Sequence, residues 1–415
     1  MAKKEQVPAI RFQGFADPWE QRKFSDLVLI ERGGSPRPID DYITDAPDGL
    51  NWVKIGDAPE QGRYITKTAE KIKPEGLSKT RQVQPGDLIL SNSMSFGKPY
   101  IMGINGCIHD GWLLIRDTQS RFDLKFLCHM LGTDQMLDQY RMFAAGSTVN
   151  NLNKELVGNT IVSLPSIDEQ KVIGEYLESI DNLITLHQRK YDKLVAIKRS
   201  MLEKMFPREG SRFPEIRFAG FTDPWEQRKV GTFASVLSAS RVHKDEWRKE
   251  GVPFYRSSDV VSAFKGNDNE RAFISTELYE ELIKSSGRLE KGDILITGGG
   301  SIGIPYIVPN NEPLYSKDAD LIWIKKSAEH DSQYLYAYFT SQGFREYISS
   351  ISHVGTIAHY TIEQVKDTPV LLPSVAEQSA IGLFFSQLDT LITLHQRKLE
   401  KLQAIKRSML EKMFV

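Results

Sequence analysis

Apolar residues recur along two long stretches of the chain with the alternating four- and three-residue spacing that is typical of a coiled coil. One stretch runs to Phe206 and the other to Phe414, and a Leu-Pro-Ser turn at residues 164–166 or 372–374 precedes each. Because proline is tolerated ahead of a helix but not inside one, these turns predict where each helix begins. The predicted seam positions are, in the first helix, Ile173, Leu177, Ile180, Ile184, His187, Tyr191 and Leu194, and, in the second, Ile381, Phe385, Leu388, Ile392, His395, Leu399 and Leu402.

Two such seams on one chain predict that the helices pack against each other. In an antiparallel pair each helix buries the seam of the other, and a pseudo-twofold axis relates the two copies. His187 and His395 occupy matching seam positions, so their imidazoles are expected to approach each other. We favour a polar register device for this pair over a metal site or a pH switch, by analogy with the asparagines found at coiled-coil core positions.

The chain carries two near-identical blocks in each half. Residues 10–23 return as residues 216–229 with two changes, and residues 180–206 match residues 388–414 at 22 of 27 positions. The stretches between these blocks have diverged. A repeated frame with divergent inserts indicates a symmetric scaffold that carries two different binding modules.

Each divergent stretch reads as an α/β module of the same kind. Gly86-Asp87 and Gly292-Asp293 both predict a turn that leads into a buried strand. The predicted fold class is mixed α/β, with two modules joined by two long antiparallel coiled-coil helices in a pseudo-twofold internal repeat. The predicted boundaries are 1–165 for the first module, 166–206 for the first helix, 207–215 for a polar linker, 216–373 for the second module and 374–415 for the second helix.

The composition limits the classes of protein to which this chain can belong. The 415 residues are 40% hydrophobic and 26% charged, which is typical of globular domains. The sequence shows no apolar run long enough to span a bilayer, and its first residues lack the apolar core of a signal peptide. With only Cys107 and Cys128 as cysteines, a reduced cytoplasmic protein is the simplest expectation. The formal net charge of -1 is low for a DNA-binding protein, although a local basic stripe matters more than the sum, and it suggests that a partner supplies part of the positive field.

Two motifs imitate catalytic or cofactor sites. Residues 298–303 fit the G-x-G-x-x-G pattern, but Pro305 follows where a phosphate-binding helix would begin, so a tight loop close to nucleic acid is favoured over a cofactor site. Residues 17–19 and 223–225 read Asp-Pro-Trp, which imitates an adenine methyltransferase motif without its second proline. The sequence offers no Walker A, H-E-x-x-H or nucleophile-elbow motif. We expect a non-catalytic chain with no metal site and no cofactor of its own.

The doubled motifs resemble those of a known family. Leu-Pro-Ser followed by Glu-Gln occurs at residues 164–170 and 372–378, and Leu-Ile-Thr-Leu-His-Gln-Arg-Lys at residues 183–190 and 391–398. A Gly/Ser-Thr step closes each module, as Gly146-Ser147-Thr148 and as Gly355-Thr356. In this order and over essentially the whole chain, the motifs resemble the specificity subunit of type I restriction-modification systems. One departure is Asp168, which becomes Ala376 in the second copy.

The resemblance implies a DNA clamp without chemistry of its own. Each module would be a target-recognition domain that reads one half of a split, asymmetric site, and the helices would fix the gap. Two modification subunits, which methylate adenine N6 with S-adenosylmethionine, would dock on the chain, and two restriction subunits that use ATP and Mg²⁺ would join them. The 27-residue helical block spans roughly 40 Å, close to one turn of B-DNA.

Direct readout of bases needs Arg or Lys for guanine, Asn or Gln for adenine, and apolar groups for the thymine methyl. The candidates are polar side chains of predicted loops that differ between the modules. They are Lys54, Arg63, Asn92, Ser93, Ser95, Lys98, Asn150 and Asn151 in the first module, and Arg256, Ser257, Ser258, Ser301, His353, Thr356, His359 and Tyr360 in the second.

The near-identical surfaces of the frame suit two identical partners, because a twofold arrangement presents the same patch twice. We therefore favour partner docking over direct DNA contact for the signature blocks and the basic helix faces. The docking candidates are Trp19, Arg22, Trp225, Arg228, Arg189, Lys193, Arg199, Arg397, Lys401 and Arg407.

Two other functions stay open from the sequence. A two-module scaffold could clamp a protein or an RNA without sequence-specific DNA recognition. A self-contained methyltransferase or nuclease would need catalytic motifs that the sequence does not offer. Sequence-selective enrichment from a DNA pool distinguishes a specificity subunit from the scaffold.

Overall fold

The computed structural model describes residues 7–92, 96–144, 151–317, 320–352 and 359–415. The chain divides into two compact units, of which unit 1 is Met1–Lys190 with His395–Val415 and unit 2 is Tyr191–Leu394. Each unit holds one α/β module, the first part of the long helix that follows it in sequence, and the last part of the other long helix. The predicted module boundaries stay predictions, because the contacts group each module with segments of both helices.

Unit 1 is built from short strands and helices. Its strands are β1 (Glu20–Lys23), β2 (Leu29–Arg32), β3 (Leu50–Val53), β4 (Tyr64–Ile65), β5 (Glu70–Ile72), β6 (Arg81–Val83), β7 (Leu88–Ser91), β8 (Pro99–Met102), β9 (Gly106–Ile108), β10 (Trp112–Arg116) and β11 (Ile161–Leu164). Its helices are α1 (Leu124–Leu131), α2 (Asp134–Ala144) and α3 (Lys154–Gly158), followed by the long helix α4 (Ile167–Lys204), which continues into unit 2.

Unit 2 repeats this plan with differences. Its strands are β12 (Glu226–Lys229), β13 (Val236–Ser238), β14 (Val252–Tyr255), β15 (Ala272–Ile274), β16 (Ile294–Thr297), β17 (Pro305–Ile307), β18 (Tyr315–Ser316), β19 (Leu321–Ile324) and β20 (Pro369–Leu372). Its helices are α5 (Ser257–Lys265), α6 (Thr276–Ser286), α7 (Ser332–Thr340), α8 (Gln342–Ser352), α9 (Ile362–Asp367) and the long helix α10 (Val375–Met413), which continues into unit 1.

The main sheet of unit 1 has the strand order β2-β10-β7-β8-β4, and a smaller sheet has the order β5-β3-β9-β6. Strand β7 is buried at all of its positions. It follows Gly86, whose φ of +94° favours glycine, and the Asp87 carboxylate accepts a hydrogen bond from the Gln84 amide at 2.9 Å. The predicted turn into a buried strand is therefore confirmed.

The main sheet of unit 2 has the order β13-β19-β16-β17, and a smaller sheet has the order β15-β14-β18. The second predicted turn is also confirmed, because Gly292 has a φ of +93° and Asp293 accepts from the Glu290 amide at 2.8 Å just before the buried β16. Within the described residues, no strand of unit 2 extends the sheet beyond β17 as β4 does beyond β8. The two modules share one plan and differ at this sheet edge.

The long helices begin at Ile167 and Val375, two residues after the prolines that predict their start. Every predicted seam position is buried or half-buried, with Leu177 and Phe385 at the buried end of the range. In unit 1, Asp181 of α4 pairs with Lys406 of α10. In unit 2, Lys198 of α4 pairs with Asp389 of α10. Within unit 1 His187 also meets His395, so residue numbers rise along one helix as they fall along the other and the segments are antiparallel.

The repeated blocks build a frame inside each unit. Arg11 donates two hydrogen bonds to Glu169 at 2.6 and 2.7 Å, and Arg217 donates two to Glu377, both at 2.7 Å. Both carboxylates are 1% exposed, and each lies in the first turn of its long helix. The strands of the blocks pair in the same way, β1 antiparallel with β11 and β12 antiparallel with β20. The repeated Arg and Glu-Gln motifs thus have a structural role.

The tryptophans of the signature blocks are core residues. Trp19 is 3% exposed and packs edge-on against Phe126 and Phe414, and Trp225 is fully buried against Phe206. The prediction that these two side chains dock a partner is wrong, because neither ring offers surface to one. Both rings instead anchor a signature block on the phenylalanine that follows a long helix.

No helix in the described ranges combines the length and the apolar character needed to cross a membrane.

Candidate functional site

The loop after the buried strand β7 meets two other loops in unit 1. The Asn92 amide donates to the Gly111 carbonyl at 3.0 Å, and the Leu152 amide donates to the Asn92 carbonyl at 2.9 Å. These bonds join the end of β7, the turn before β10 and the segment before α3. We call this arrangement the loop junction of unit 1.

Unit 2 has a loop junction of the same design. The Gly298 amide donates to the Asp320 carbonyl at 2.8 Å, and the Tyr360 amide donates to the Gly298 carbonyl at 2.8 Å. These residues follow β16, precede β19 and precede α9, which are the counterparts of the elements in unit 1. The backbone arrangement is retained while the side chains around it differ.

Several predicted DNA-binding residues surround the junction of unit 1. Lys98 and Asn151 are exposed. Asn92 is 2% exposed, and its amide nitrogen donates to the Asp110 carbonyl at 2.8 Å. The prediction of a base contact at Asn92 is wrong in this structure, because its side-chain amide is buried and hydrogen-bonded to the turn before β10.

The junction of unit 2 also gathers predicted residues. Ser301 and His359 are exposed, and the Ser257 hydroxyl donates to the Asp320 carbonyl at 2.9 Å. Tyr360 is 1% exposed, lies in the main core of unit 2, and shares a hydrogen bond with the Thr368 hydroxyl. The structure therefore corrects the prediction at Tyr360, whose side chain is not available to DNA.

Arg63 is the predicted base reader whose position differs most from expectation. Its side chain is 15% exposed and points to the long helices, where Nε donates to Asp181 at 2.9 Å. The guanidinium also donates to the Cys128 carbonyl at 3.3 Å. The prediction that Arg63 reads a base is wrong in this structure, because its donors are bound by α4 and α1.

Lys54 lines a recess in unit 1, of about 920 Å³. Its ammonium pairs with Glu70, and Trp52 and His109 lie in the same wall. Arg37, whose side chain is 82% exposed, lines the recess as well and was not among the predicted residues. The signal that could have found it is the Pro36-Arg37-Pro38 sequence, which presents an arginine on a stiff loop.

Arg256 occupies the position in unit 2 that corresponds to Lys54. It donates to the Asp259 carboxylate at 2.8 Å and lies 5.6 Å from the Trp247 ring centre. The neighbouring Ser258 is exposed and accepts a hydrogen bond from Asn269 at 3.3 Å. The side chain of Arg256 is 23% exposed, so part of the guanidinium stays accessible beside its ion pair.

Five predicted DNA-binding residues lie outside the described residues, as do the Gly/Ser-Thr steps at 146–148 and 355–356. They are Ser93, Ser95, Asn150, His353 and Thr356.

The Gly-rich loop of residues 298–303 connects two antiparallel strands, β16 and β17. The amide of Ile304 donates to the Thr297 hydroxyl at 2.9 Å, which closes the loop on itself. A dinucleotide site of the G-x-G-x-x-G type needs a helix after the loop, and the element that follows is a strand. The loop forms part of the junction of unit 2.

The basic docking candidates of the helices are exposed. In unit 1, Arg189 and Arg397 lie on the solvent side of α4 and α10, and in unit 2 Lys193 and Arg199 do so on α4. The remaining helix candidates, Lys401 and Arg407, are exposed in unit 1.

The signature-block arginines are paired with acids. Arg22 lies 3.5 Å from Glu20, and Arg228 lies 2.7 Å from Glu329. Both therefore keep a partner on their own unit.

Exposed leucines accompany these basic residues, and the predicted set did not include them. Leu183 and Leu186 on α4 are 44% and 46% exposed, and Leu391 and Leu394 on α10 are 42% and 44% exposed. The signal was present in the sequence, because leucines outside the seam recur in both copies. Repeated exposed leucines on a helix are typical of a surface that a partner covers.

The two seam histidines meet within unit 1. Their Nδ1 atoms are 2.8 Å apart, so one ring must donate and the other must accept. Burial lowers the pKa of both imidazoles, and the nearby Lys190 and Lys398 lower the pKa of each further. Among the described residues, no group of three or more histidine, cysteine, aspartate or glutamate side chains could hold a metal ion.

Comparison with known proteins places this architecture in a family. The family described as "Type I restriction modification DNA specificity domain" matches residues 16–196 and again residues 222–404. The two matches coincide with the two halves of the internal repeat.

Individual relatives agree with the family match. The type I restriction enzyme MjaVIII specificity subunit of Methanocaldococcus jannaschii is 25% identical over 95% of this chain and 91% of its own length. The type I restriction enzyme EcoKI specificity subunit of Escherichia coli K12 is 19% identical over 86% of this chain and 80% of its own length. In fold, the chain resembles the crystal structure of a type I restriction-modification system S subunit from M. genitalium, with a TM-score of 0.60, 16% identity and 99% of both chains covered. The chain belongs to the type I restriction-modification DNA specificity family.

Proposed function

We propose that this chain is the sequence-specific DNA-binding subunit of a type I restriction-modification complex, and that its two modules read the two halves of a bipartite, asymmetric site. The observation that carries the proposal is the pair of loop junctions. Both keep the same backbone hydrogen bonds, and each presents different exposed side chains, with Lys98 and Asn151 at one junction and Ser301 and His359 at the other. Two readers with one architecture and different side chains suit two unlike half-sites.

The repeated helix faces support docking of two modification subunits. Arg189, Leu183 and Leu186 on α4 have the identical counterparts Arg397, Leu391 and Leu394 on α10, and all six are exposed. Identical patches call for identical partners. We propose that these partners methylate adenine N6 with S-adenosylmethionine, and that two restriction subunits using ATP and Mg²⁺ join through them.

We propose further that the chain itself is non-catalytic and acts in the cytoplasm. The motif-like segments support the lack of catalysis, since the Gly-rich loop runs from strand to strand and the Asp-Pro-Trp tryptophans are buried anchors. The exposed polar side chains at the loop junctions, such as Lys98 and Asn151, are suited to contact nucleic acid.

The experiment that tests the proposal maps methylated adenines in the DNA of cells that express the chain with its modification partner. The expected result is a bipartite sequence with a fixed gap. A contiguous palindrome would contradict the model of two readers, and methylation without sequence preference would favour a scaffold.

The same experiment assigns the modules. Replacing Lys98 or Asn151 by alanine should change the bases required in one half of the site only. A replacement at Ser301 or His359 should change the other half.

A further inference from the structure

The first module is tied to the long helices of unit 1 by a charged cluster that the sequence did not reveal. Asp181 of α4 accepts from Arg63, which stands just before the edge strand β4, at 2.9 Å. The same carboxylate pairs with Lys406 of α10. The three side chains are 14 to 19% exposed. One carboxylate therefore joins three elements, namely the module and both helices.

Two other titratable side chains, His129 and Lys406, lie close to Arg63 and Asp181. His129 is 1% exposed, and burial followed by the nearby Arg63 and Lys406 lowers its pKa well below the usual value, so it stays neutral. Burial and then Arg63 also lower the pKa of Lys406. Two cations thus share Asp181, and the position of the Arg63 guanidinium is fixed by this carboxylate and by the Cys128 carbonyl.

Unit 2 uses a simpler arrangement at the equivalent place. Asp389 pairs with Lys198, which reproduces the pair of Asp181 with Lys406 between the helices. Tyr336 of α7 lies near Asp389, where α1 has Cys128 in unit 1, and burial followed by Asp389 raises the pKa of Tyr336 to about 12. In the described part of unit 2, no strand lies where β4 brings Arg63 to the helices.

We propose that Arg63 is a positioning residue for DNA recognition, which fixes the first module on the helix pair and so sets where its half-site reader stands relative to the gap. This inference rests on the proposed function. Arg63 would act through Asp181 and not by touching DNA. The helices do not need Arg63 to pair, because in the described part of unit 2 Asp389 forms its ion pair with Lys198 and with no arginine.

A groove supports this role. Arg63, Asp181 and Lys406 line a recess of about 740 Å³ between the first module and the helices of unit 1, and Lys98 near the loop junction lines it too. The module shares a hydrophobic core with Ile173 and Leu177 of α4. Arg63 adds an ion pair to Asp181 at the edge of the module where the recess interrupts that packing. Rotation about this recess would carry the loop junction with it.

The experiment measures how strictly the gap is kept. The complex of the chain with its modification partner methylates duplexes that carry the site found by mapping, with the natural gap or with gaps shortened or lengthened by one base pair. The variants are Arg63→Met, Arg63→Gln and Arg63→Lys. The matched control is Arg116→Met, which removes an ion pair to Asp87 that lies wholly inside the first module.

The wild-type complex should prefer the natural gap by about a hundredfold or more, since one base pair shifts a half-site by about 3.4 Å and a misplacement of roughly 1 Å can already cost a hundredfold in rate. Arg63→Met and Arg63→Gln should reduce this preference to about tenfold or less while the bases required in each half stay the same. Arg63→Lys should retain most of the preference, and Arg116→Met should leave it unchanged.

The outcomes separate this inference from the proposed function. If the wild-type complex recognises no bipartite site, the proposed function fails. If it does, and the folded Arg63 variants keep the full gap preference, or Arg116→Met loses as much, the positioning role is wrong. Failure of both Arg63→Met and Arg63→Gln to fold, judged by melting of the complex, also overturns it, because the helix pair would then depend on Arg63.

Discussion

In both units a signature block contacts the end of a long helix, but only in unit 2 do these two segments follow each other along the chain. In unit 2 the end of α4 is followed along the chain by residues 207–215 and then by the second signature block, whose Ile216 amide donates to the Lys204 carbonyl at 2.9 Å. In unit 1 the first signature block makes the same contact with the end of α10, from the Ile10 amide to the Lys412 carbonyl at 3.0 Å, without a covalent link between them. The contact therefore does not depend on chain connection.

This difference shows which residues carry the frame. Phe206 packs on Trp225, and Phe414 packs on Trp19, in matching edge-on geometry. The Arg11–Glu169 and Arg217–Glu377 pairs repeat with nearly equal lengths. The near-identical blocks of the sequence thus make the same packing contacts and ion pairs within each unit, while the modules inserted between them differ.

The largest expected effect comes from breaking the buried ion pairs of the frame. Glu169→Ala leaves the Arg11 guanidinium, which is 11% exposed, without its bidentate partner, and Glu377→Ala does the same to Arg217. Each change should lower the free energy of unfolding by about 3–5 kcal/mol. Chemical denaturation of the purified chain measures both.

The comparison predicts that the two losses agree within about 1 kcal/mol, because the two ion pairs match in length and burial. The exposed acid Asp168, one position before Glu169, gives a control in Asp168→Ala, which copies the natural Ala376. A loss at Glu169 that is no larger than at Asp168 would contradict the structural role of the pair.

Helix glycines offer a second matched pair. A Cβ atom on Gly174 would lie 2.8 Å from the Phe126 amide and 2.6 Å from the Asp123 carboxylate, and one on Gly382 would lie 2.8 Å from the Tyr334 amide and 2.5 Å from the Asp331 carboxylate. Alanine gains about 1 kcal/mol in helix propensity over glycine, but the clash with backbone should cost more. We expect Gly174→Ala and Gly382→Ala each to destabilise the chain by about 1–3 kcal/mol.

Thermal melting checks this expectation, and an alanine at the exposed glycine Gly343 in the first turn of α8, where the Cβ meets nothing within 4 Å, serves as the control. Stabilisation by Gly174→Ala or Gly382→Ala would mean that α1 or α7 can retreat from the long helix.

A change at one loop junction sharpens the comparison of the modules. Lys98→Ala should weaken recognition of one half-site and His359→Ala the other, each by about 1–3 kcal/mol if the side chain contacts a base. Binding of the complex to duplexes with single base changes in either half measures this. A uniform loss over all bases, with a smaller salt dependence, would instead assign the residue to phosphate contact.

Much of the fold follows from the sequence because it rests on local rules. The seam spacing, the prolines before Ile167 and Val375, and the Gly-Asp turns each depend on residues close together in the chain, and the structure confirms them. The antiparallel pairing also follows, since two matching seams on one chain have few other ways to be buried.

The candidate site was harder to predict, because polar residues in loops look alike until the chain is folded. Arg63 and Asn92 have the chemistry of base readers, yet one is held by Asp181, 118 residues away, and the other holds the turn at Asp110. Tyr360 is buried by core residues distant in sequence. Arg37 was missed because its neighbours are prolines and not the aromatic or glycine-rich sequence of a recognised motif.

The smallest expected effect concerns the histidine pair, to which each long helix contributes one side chain. Because the pKa values of His187 and His395 are lowered in the folded chain, the unfolded chain binds protons more readily. Above the ordinary histidine pKa of about 6.5, both rings are neutral in the folded and unfolded chain, and the pair does not affect the free energy of unfolding. As the pH drops below about 6.5 toward the lowered pKa values of the folded chain, the free energy of unfolding falls. The facing charges are Lys190 and Lys398, which act in the same direction.

The double change His187→Leu with His395→Leu should keep the fold and flatten this part of the pH dependence of the melting temperature. Leucine fits a coiled-coil seam, and the hydrogen bond that is lost is the one that the two rings make with each other. The buried His129 and His330, whose pKa values are also lowered, contribute to the pH dependence that remains. A chain that fails to fold after the double change would show that the histidine pair specifies the helix pairing itself and is more than a register device.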